Sequence, residues 1–320
     1  MRRWVYSLGI AAALLLAASA AVPTPYWIIA PGSAVELSRR IAVDGHAPSS
    51  DRFYLTDVTV TRATVLTLVA GVVPGIRVVR RSAVLPEGAT QRQYDRVLVD
   101  SMLQSQGVAA LVAEREAGLR VPDPGHTVVI AGILEGSPAS RVLEIGDALL
   151  VVGGRHIDEP NDVARVLRGL AVGARVTADV RRGGRTVHVI VPTIATASGR
   201  RFGIRLIRQI QQPNLPVAVR YSLGNIAGSS GGLMFALQIY GSLHSVHHGN
   251  GNAIAGTGVL AADGTIGPID GTLQKLIAAK RAGARVFLVP RENYADIAGQ
   301  REIRIIPVAT FREALAALRS

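Results

Sequence analysis

A short stretch of helix- and strand-breaking residues constrains the fold of this chain more than any other feature. The stretch is Val121-Pro122-Asp123-Pro124-Gly125, in which two prolines lack a backbone N–H and a glycine tolerates unusual backbone angles. Neither a helix nor a central strand continues through such a sequence. The 320 residues provide room for about two domains with a sizeable core, so we place a domain boundary at residue 121.

A second constraint is the uncharged run from Trp4 to Val22, which follows Arg2 and Arg3. At about 1.5 Å per residue, a helix of this length approaches the roughly 30 Å hydrocarbon core of a bilayer. The two arginines place the amino terminus on the cytoplasmic side. We therefore expect residues 1–30 to be a single-pass transmembrane signal anchor in the cell membrane, with the bulk of the chain outside the cytoplasm. The alternatives are a signal peptide cleaved at Ala18-Ser19-Ala20, which would secrete the protein, and a buried soluble helix.

Composition excludes several kinds of chemistry. The chain has no cysteine, which excludes a disulfide framework, a thiol nucleophile, cysteine-bound zinc and an iron–sulfur cluster. Its only lysines are Lys275 and Lys280, and neither lies in the phosphate-loop sequence G-x-x-x-x-G-K-[ST] of a Walker-A ATPase. The net charge of +12 fits attraction to an anionic membrane or wall surface. Because the arginines are spread along the chain and aromatic residues are few, we expect no nucleic-acid partner.

The part of the chain before the boundary, residues 31–120, is predicted to be an extracytoplasmic α+β segment. Polar and apolar positions alternate with β-branched runs through residues 35–90, which is typical of strands. The spacing of Val97, Met102 and Val108 predicts a helix within residues 91–119.

Residues 126–193 are predicted to form a compact module of short strands around a helix. A strand-like run ends at a Ser-Pro helix start, a Gly-Asp turn and a second strand follow, and a helix is predicted near Asn161–Leu170. This order of motifs resembles a PDZ domain of the bacterial type, which we assign to residues 121–195. PDZ domains add an extended peptide as an extra strand, so the resemblance implies peptide segments as partners. The implied groove residues are Val128, Val129, Ile130, Val163 and Leu167, and the alternative for each is a place in the module's core.

Ser230 is the candidate nucleophile. It lies between glycines just before the apolar helix predicted at Leu233–Tyr240, where free backbone N–H groups can hold an oxyanion. A Gly/Ser-rich helix cap is the alternative interpretation.

The segment Gly228–Gly232 also fits the G-x-S-x-G nucleophile elbow, whose catalytic triad occurs along the chain in the order serine, acid, histidine. No acid lies between Ser230 and His244, the next histidine, so the elbow is excluded.

Lys275 is the candidate base. A lysine can replace histidine as the base for serine only when its amine is neutral. At an ordinary pKa of about 10.4, fewer than about one amine in a thousand is neutral at pH 7, but burial lowers the pKa of a lysine. Arginine stays protonated and cannot do this. Lys280 lies on another side of the same predicted helix and is expected to be solvated, and the alternative for Lys275 is a surface lysine.

Four motifs then occur in the order and spacing of the Lon-type serine–lysine endopeptidase domain. They are the helix start at Ser230, Ala255-Gly256-Thr257-Gly258, the stretch Gly264–Lys275 and Val289–Asn293. Residues 196–320 resemble this domain, and the whole chain resembles the membrane-anchored, PDZ-containing Lon-like proteases. The implied fold is an α/β (α+β) Lon-type proteolytic domain plus a small β-rich PDZ-like domain, preceded by one transmembrane helix. The sequence leaves open whether the strands of residues 31–120 belong to the proteolytic sheet.

The resemblance assigns roles to three residues. It implies that Ser230 is the nucleophile, that Lys275 is its general base, and that the Thr257 hydroxyl holds the lysine amine. The expected function is an ATP-independent, membrane-tethered serine endopeptidase that cleaves unfolded or flexible polypeptides captured by the PDZ-like domain. No cofactor is expected, and a homo-oligomeric ring is implied by the family. The alternative is a catalytically weak or inactive membrane-anchored adaptor that binds peptides on a Lon-like scaffold.

The sequence departs from the family pattern at positions near the predicted site. The family usually has Pro-Ser-Ala-Gly around the nucleophile, an acid a few residues earlier, and Gly-Gly before the lysine helix. Here the corresponding positions are Ser229, Gly231, Asn225 and Asp270. A carboxylate at Asp270 is expected to raise the pKa of Lys275. The histidines His244, His247 and His248 have metal-like spacing but border a Gly/Asn turn, so we expect no metal site.

Overall fold

The computed structural model describes residues 17–85, 91–196, 199–224, 226–244 and 252–319. Residues 17–21 are helical and lead into the first strand. Most of the predicted membrane-spanning run, positions 4–16, lies outside the described residues. Within the part of the chain that the structure describes, no helix combines the length and apolar character needed to cross a bilayer.

The described elements alternate strands and helices. The strands are β1 Pro23–Glu36, β2 Ile41–Val43, β3 Arg52–Thr64, β4 Arg77–Arg80, β5 His126–Ile133, β6 Ala148–Val152, β7 Arg155–His156, β8 Arg175–Arg182, β9 Arg185–Pro192, β10 Ile194–Thr196, β11 Gly199–Arg201, β12 Ile204–Ile210, β13 Val219–Tyr221, β14 Ala253–Gly256, β15 Val259–Leu260, β16 Ile266–Gly267, β17 Val286–Pro290 and β18 Arg304–Val308. The α-helices are α1 Gln91–Glu116, α2 Pro160–Leu167, α3 Gly232–His244, α4 Thr272–Arg281 and α5 Phe311–Arg319. Short 3-10 helices lie at Leu66–Val72, Arg81–Ala83, Pro138–Arg141 and Arg291–Asp296.

A mixed six-stranded sheet joins the two ends of the sequence. Its order is β18-β17-β14-β3-β1-β4, and β3 pairs in parallel with β14, with Phe53 beside Ile254. The strands predicted within residues 31–120 therefore complete the same sheet as the C-terminal segment, and the module between them is an insertion. Residues 23–30, which the sequence assigned to the anchor, lie in β1 and pair with β3.

Helices cover both faces of this sheet. Successive strand residues face opposite sides: Phe53 and Leu55 join the core beneath α1, α3 and α5, whereas Tyr54 joins the core beneath α4. Helix α3 is buried along nearly its whole length because α1 packs along its outer side. As a result, α3 and α4 approach the sheet from opposite faces, and α1 forms an outer layer over α3.

The inserted module is an antiparallel sheet of order β12-β5-β6-β8-β9 with α2 beside it. This topology corrects the predicted peptide groove. Strand β5 has β12 along its length on one side, and residues 128–130 are paired on the other side with β6 and the turn before it, so the predicted groove residues of β5 have no free edge. Four predicted groove residues, Val128, Ile130, Val163 and Leu167, are buried in the module core, and Val129 is half-buried. Among the described strands, β12 and β9 end this order, and the short strand β7 pairs only with β6.

Candidate active site

Three predicted site residues meet at the carboxyl end of the parallel strands. Ser230 lies just before α3, Thr257 directly follows β14, and Lys275 lies in the first turn of α4. Since α3 and α4 pack on opposite faces of the sheet, their amino-terminal ends converge where β14 stops. The crevice beyond the carboxyl ends of parallel strands is a common place for a site in α/β proteins.

Hydrogen bonds join the three side chains. Lys275 Nζ lies 2.7 Å from Ser230 Oγ and 3.0 Å from Thr257 Oγ1. The Thr257 hydroxyl donates to the carbonyl oxygen of Ser230 at 3.0 Å, and the N–H of Gly258 donates to the same oxygen at 2.8 Å. Because the Thr257 hydrogen is engaged, its oxygen accepts from the amine, which leaves the lone pair of a neutral amine free to face Ser230.

Burial shifts the lysine toward its neutral form. Lys275 is only 3% exposed. Desolvation by burial lowers its pKa from the ordinary value of 10.5 to about 8, although the carboxylates of Asp270 and Asp57 act in the opposite direction. The fall corresponds to about 3 kcal/mol in favour of the neutral amine. The predicted effect of Asp270 is thus present, but the loss of hydration outweighs it.

Helix α1 fixes the loop that carries the candidate nucleophile, Ser230. The N–H of Gly228 donates to the carbonyl of Leu98 at 3.0 Å, and the Ser105 hydroxyl donates to the carbonyl of Ser229 at 3.1 Å. With the loop held this way, it is the Ser230 hydroxyl that contacts Lys275. This contact distinguishes Ser230 from its neighbour Ser229.

A cleft of about 300 Å³ opens beside the two side chains. Its walls come from β3, α1, the loop of residues 226–231 and α4. They include Leu55, Asp57, Val58, Val60, Tyr94, Leu98, Met102, Ile226, Ser230 and Lys275. Sequence reasoning missed the contributions of Asp57 and Tyr94. The periodicity of residues 91–119 correctly predicted helix α1, but a periodicity within one segment carries no information about which distant loop the helix covers.

The structure explains two of the departures from the family pattern. A Cβ on Gly231 would lie 2.8 Å from both Leu55 Cδ1 and Phe235 Cζ, so the glycine permits close packing of the helix start on β3. Gly271 is the N-cap residue directly before α4, and its φ of 73° is a backbone conformation that glycine adopts without strain. Asp270 takes the position before it and is exposed.

Other predicted residues lie away from this site or outside the described residues. Asn225, His247 and His248 are outside them, and His244 ends α3, stacked on Tyr240. Over the described ranges, no group of three or more histidine, aspartate or glutamate side chains is arranged to hold a metal ion.

Residues 224–318, which contain Ser230, Thr257 and Lys275, match the family model of the Lon protease (S16) C-terminal proteolytic domain. The chain is a mixed α/β protein, and its residues 224–318 match a Lon-type proteolytic domain. The family resemblance predicted from the four motifs is confirmed at the level of this domain.

Two curated Lon proteases are similar to part of this chain. Lon protease 2 of Bacillus subtilis (strain 168) is 37% identical over 91 residues, which cover 28% of this chain and 16% of that protein. The Lon protease of Chloroflexus aggregans (strain MD-66 / DSM 9485) is 40% identical over 67 residues, covering 19% of this chain and 8% of that protein. The chain spans at most 16% of the length of these two curated relatives.

Solved PDZ domains are among the structural neighbours. The PDZ domain of the SdrC-like protein from Listeria monocytogenes aligns with a TM-score of 0.24 and 20% identity, covering 28% of this chain and 94% of that chain. The corresponding domain from Listeria innocua aligns with a TM-score of 0.24 and 20% identity, covering 25% of this chain and 92% of that chain.

Proposed function

We propose that this protein is a serine endopeptidase in which Ser230 is the nucleophile and Lys275 its general base. The observation that carries the proposal is the 2.7 Å separation of Ser230 Oγ from the amine of a buried lysine. This distance is short enough for direct proton transfer. The match of residues 224–318 to a proteolytic domain supports the same assignment.

The proposed reaction proceeds through an acyl-enzyme. The neutral amine of Lys275 takes the proton of the Ser230 hydroxyl while Oγ forms a bond to the carbonyl carbon of the scissile peptide. The resulting ammonium returns a proton to the leaving amine as the C–N bond breaks, and water then hydrolyses the ester. Because α3 begins two residues after Ser230, we assign stabilisation of the oxyanion to backbone N–H groups of the loop that precedes the helix.

Thr257 acts in this proposal as a positioning residue. Its hydroxyl donates to the Ser230 carbonyl and accepts from Lys275 Nζ. An amine that donates one hydrogen bond in a fixed direction directs its lone pair elsewhere, in this case toward Ser230. Removing the hydroxyl should therefore slow acylation without removing either reacting group.

The proposed substrates are unfolded or flexible polypeptides, cleaved without ATP because the chain lacks a phosphate-loop lysine. Tethering through the uncharged run at residues 4–22, with the bulk of the chain outside the cytoplasm, is part of the proposal, as is a ring of identical subunits. Secretion after cleavage of a signal peptide is the alternative location.

The catalytic proposal is tested with full-length variants and two readouts, cleavage of casein and labelling by a fluorophosphonate probe. Ser230→Ala should abolish cleavage and labelling, and Lys275→Ala should abolish cleavage. Ser229→Ala and Lys280→Ala are matched controls that should retain both. Full activity in Lys275→Ala would exclude the dyad. Absence of cleavage and labelling in the unmodified chain, with peptide binding retained, would favour the adaptor.

For the inserted module we propose peptide addition at β12 rather than β5. Strand β12 is an open edge, α2 contacts it, and a cavity of about 400 Å³ lies between α2 and β11. Ala164 on α2 lines this cavity. Ala164→Trp should weaken peptide binding in a titration, whereas Asn161→Trp, at an exposed position of the same helix, should not. Equal affinities in the two variants would place the peptide elsewhere.

A further inference from the structure

The loop between β3 and β4 exposes an unusual amount of apolar surface. From Ala63 to Ile76 the chain has fourteen consecutive residues without a charge. Within it, the 3-10 helix Leu66–Val72 buries none of its residues. Val69 is 67% exposed and Val72 is 86% exposed. We call residues 65–76 the apolar loop. Contiguous exposed aliphatic side chains of this kind mark an interaction surface.

Positive charge surrounds the apolar loop. Exposed arginines border it on both sides, namely Arg62, Arg77, Arg80 and Arg81. No aspartate or glutamate occurs from Val58 to Pro86. Aliphatic side chains flanked by basic residues match the interface of an anionic bilayer, where the apolar groups enter the acyl boundary and the guanidinium groups contact lipid phosphates.

The position of the apolar loop points to the same partner. The N–H of Val65 donates to the carbonyl of Val22 at 3.1 Å. Val22 is the last residue of the run Trp4–Val22, directly before Pro23, and it is itself 51% exposed. The apolar loop and the last residues of that run therefore lie side by side on one surface of the protein.

A second copy of the chain is a poorer match to this surface. A two-fold contact brings the same patch of both subunits together. The bordering arginines would then face their own counterparts without an acidic residue from the same segment to offset them. Like charges across an interface oppose association.

We infer that the apolar loop docks the folded domain onto an anionic phospholipid bilayer. The aliphatic side chains of Val69 and Val72 enter the headgroup–acyl boundary, and the bordering arginines bind the lipid phosphates. This contact is separate from any helix that spans the bilayer and requires no catalytic residue. It goes beyond the proposed peptidase function and can be tested in a variant without the nucleophile.

The absence of cysteine permits a direct test. In the full-length Ser230→Ala chain, Val69→Cys is labelled with an environment-sensitive nitrobenzoxadiazole dye and reconstituted with vesicles of phosphatidylcholine and phosphatidylglycerol. Val172→Cys is the control, because this valine is 57% exposed in the inserted module. We expect a blue-shifted emission at position 69 that doxyl-labelled lipids quench, and neither effect at position 172.

Charge and stoichiometry provide the decisive comparisons. Replacing Arg77 or Arg80 by Gln should shift the equilibrium between docked and free loop about fivefold toward the free form for each arginine removed. Iodide quenching at position 69 equal to that at 172 would overturn the proposal, as would failure of the chain to associate with the vesicles. The dye at position 69 could instead be shielded from iodide only when each nanodisc holds two copies of the chain, with no quenching by doxyl lipids. That result would overturn the proposal in favour of a second copy.

Discussion

The rate of acylation should follow the neutral fraction of Lys275. With a pKa of about 8, about 1% of the amine is neutral at pH 6, about a tenth at pH 7 and half at pH 8. The acylation rate should therefore rise about ninefold from pH 6 to 7, about fivefold from pH 7 to 8, and less than about twofold above that. At the ordinary pKa of 10.5 the rate would rise about tenfold per pH unit up to pH 9 and still about eightfold from pH 9 to 10.

Substitution of Asp270 tests the electrostatic part of this reasoning. Its carboxylate raises the pKa of Lys275, so Asp270→Asn should move the midpoint of the pH profile below 8 and increase the rate at pH 7. Asp123→Asn, which alters a carboxylate that is 94% exposed, is the control and should leave the midpoint unchanged.

The assay is the observed rate constant for fluorophosphonate labelling of Ser230 between pH 5.5 and 9.5 at constant ionic strength. Labelling places one phosphonyl group on Ser230 in a single turnover, so its rate reports proton removal and attack by Oγ without product release. Lys275→Arg provides a baseline, because a guanidinium stays protonated over this range. A rate that is already maximal at pH 6, a midpoint near 10.5, or a higher midpoint in Asp270→Asn would each refute the argument.

Three further outcomes are expected. Lys275→Met should stabilise the fold at pH 7, because wild type carries a cost of about 3 kcal/mol for burying the ammonium. Between the pKa values of about 8 and 10.5 the unfolded chain binds more protons than the folded chain, so wild type becomes more stable as the pH rises. The difference in free energy of unfolding between Lys275→Met and wild type, measured by urea unfolding, should therefore shrink by about 2 kcal/mol at pH 10. Ser105→Ala removes the hydrogen bond to the Ser229 carbonyl and should lower kcat about fivefold with little change in KM, measured by peptide cleavage. Gly231→Ala should cost about 1 kcal/mol of stability in the same unfolding assay and raise KM, because its Cβ would displace Leu55 in the cleft wall.

Local sequence patterns predicted the individual helices and motifs better than the way they pack together in three dimensions. The glycine-flanked serine, the lysine helix and helix α1 each follow from a few neighbouring residues, and the structure brings Ser230 and Lys275 together. The pairing of β3 with β14 joins residues about two hundred positions apart, and no periodicity within either strand encodes it. For that reason the wall formed by Asp57 and Tyr94 was not predicted.

The peptide groove was misplaced for a similar reason. Strand β5 has the apolar residues expected of a groove strand, but whether a strand lies at an edge depends on its neighbours. Strand β12 lies beyond the predicted module boundary at residue 195, and it pairs along the full length of β5. This added strand therefore covers the edge of β5 at which the peptide was predicted to bind.

The ends of the insertion have a consequence for the order of folding. His126 at the start of β5 pairs with Ile210 at the end of β12, so folding of the inserted module alone brings its two ends together. That closes a long loop and reduces the entropy lost when β3 later pairs with β14. We expect the inserted module to fold first during synthesis. The side chains of Ser230 and Lys275 would then come together only after the C-terminal segment emerges, so we expect this site to be completed late in the folding of the newly made chain.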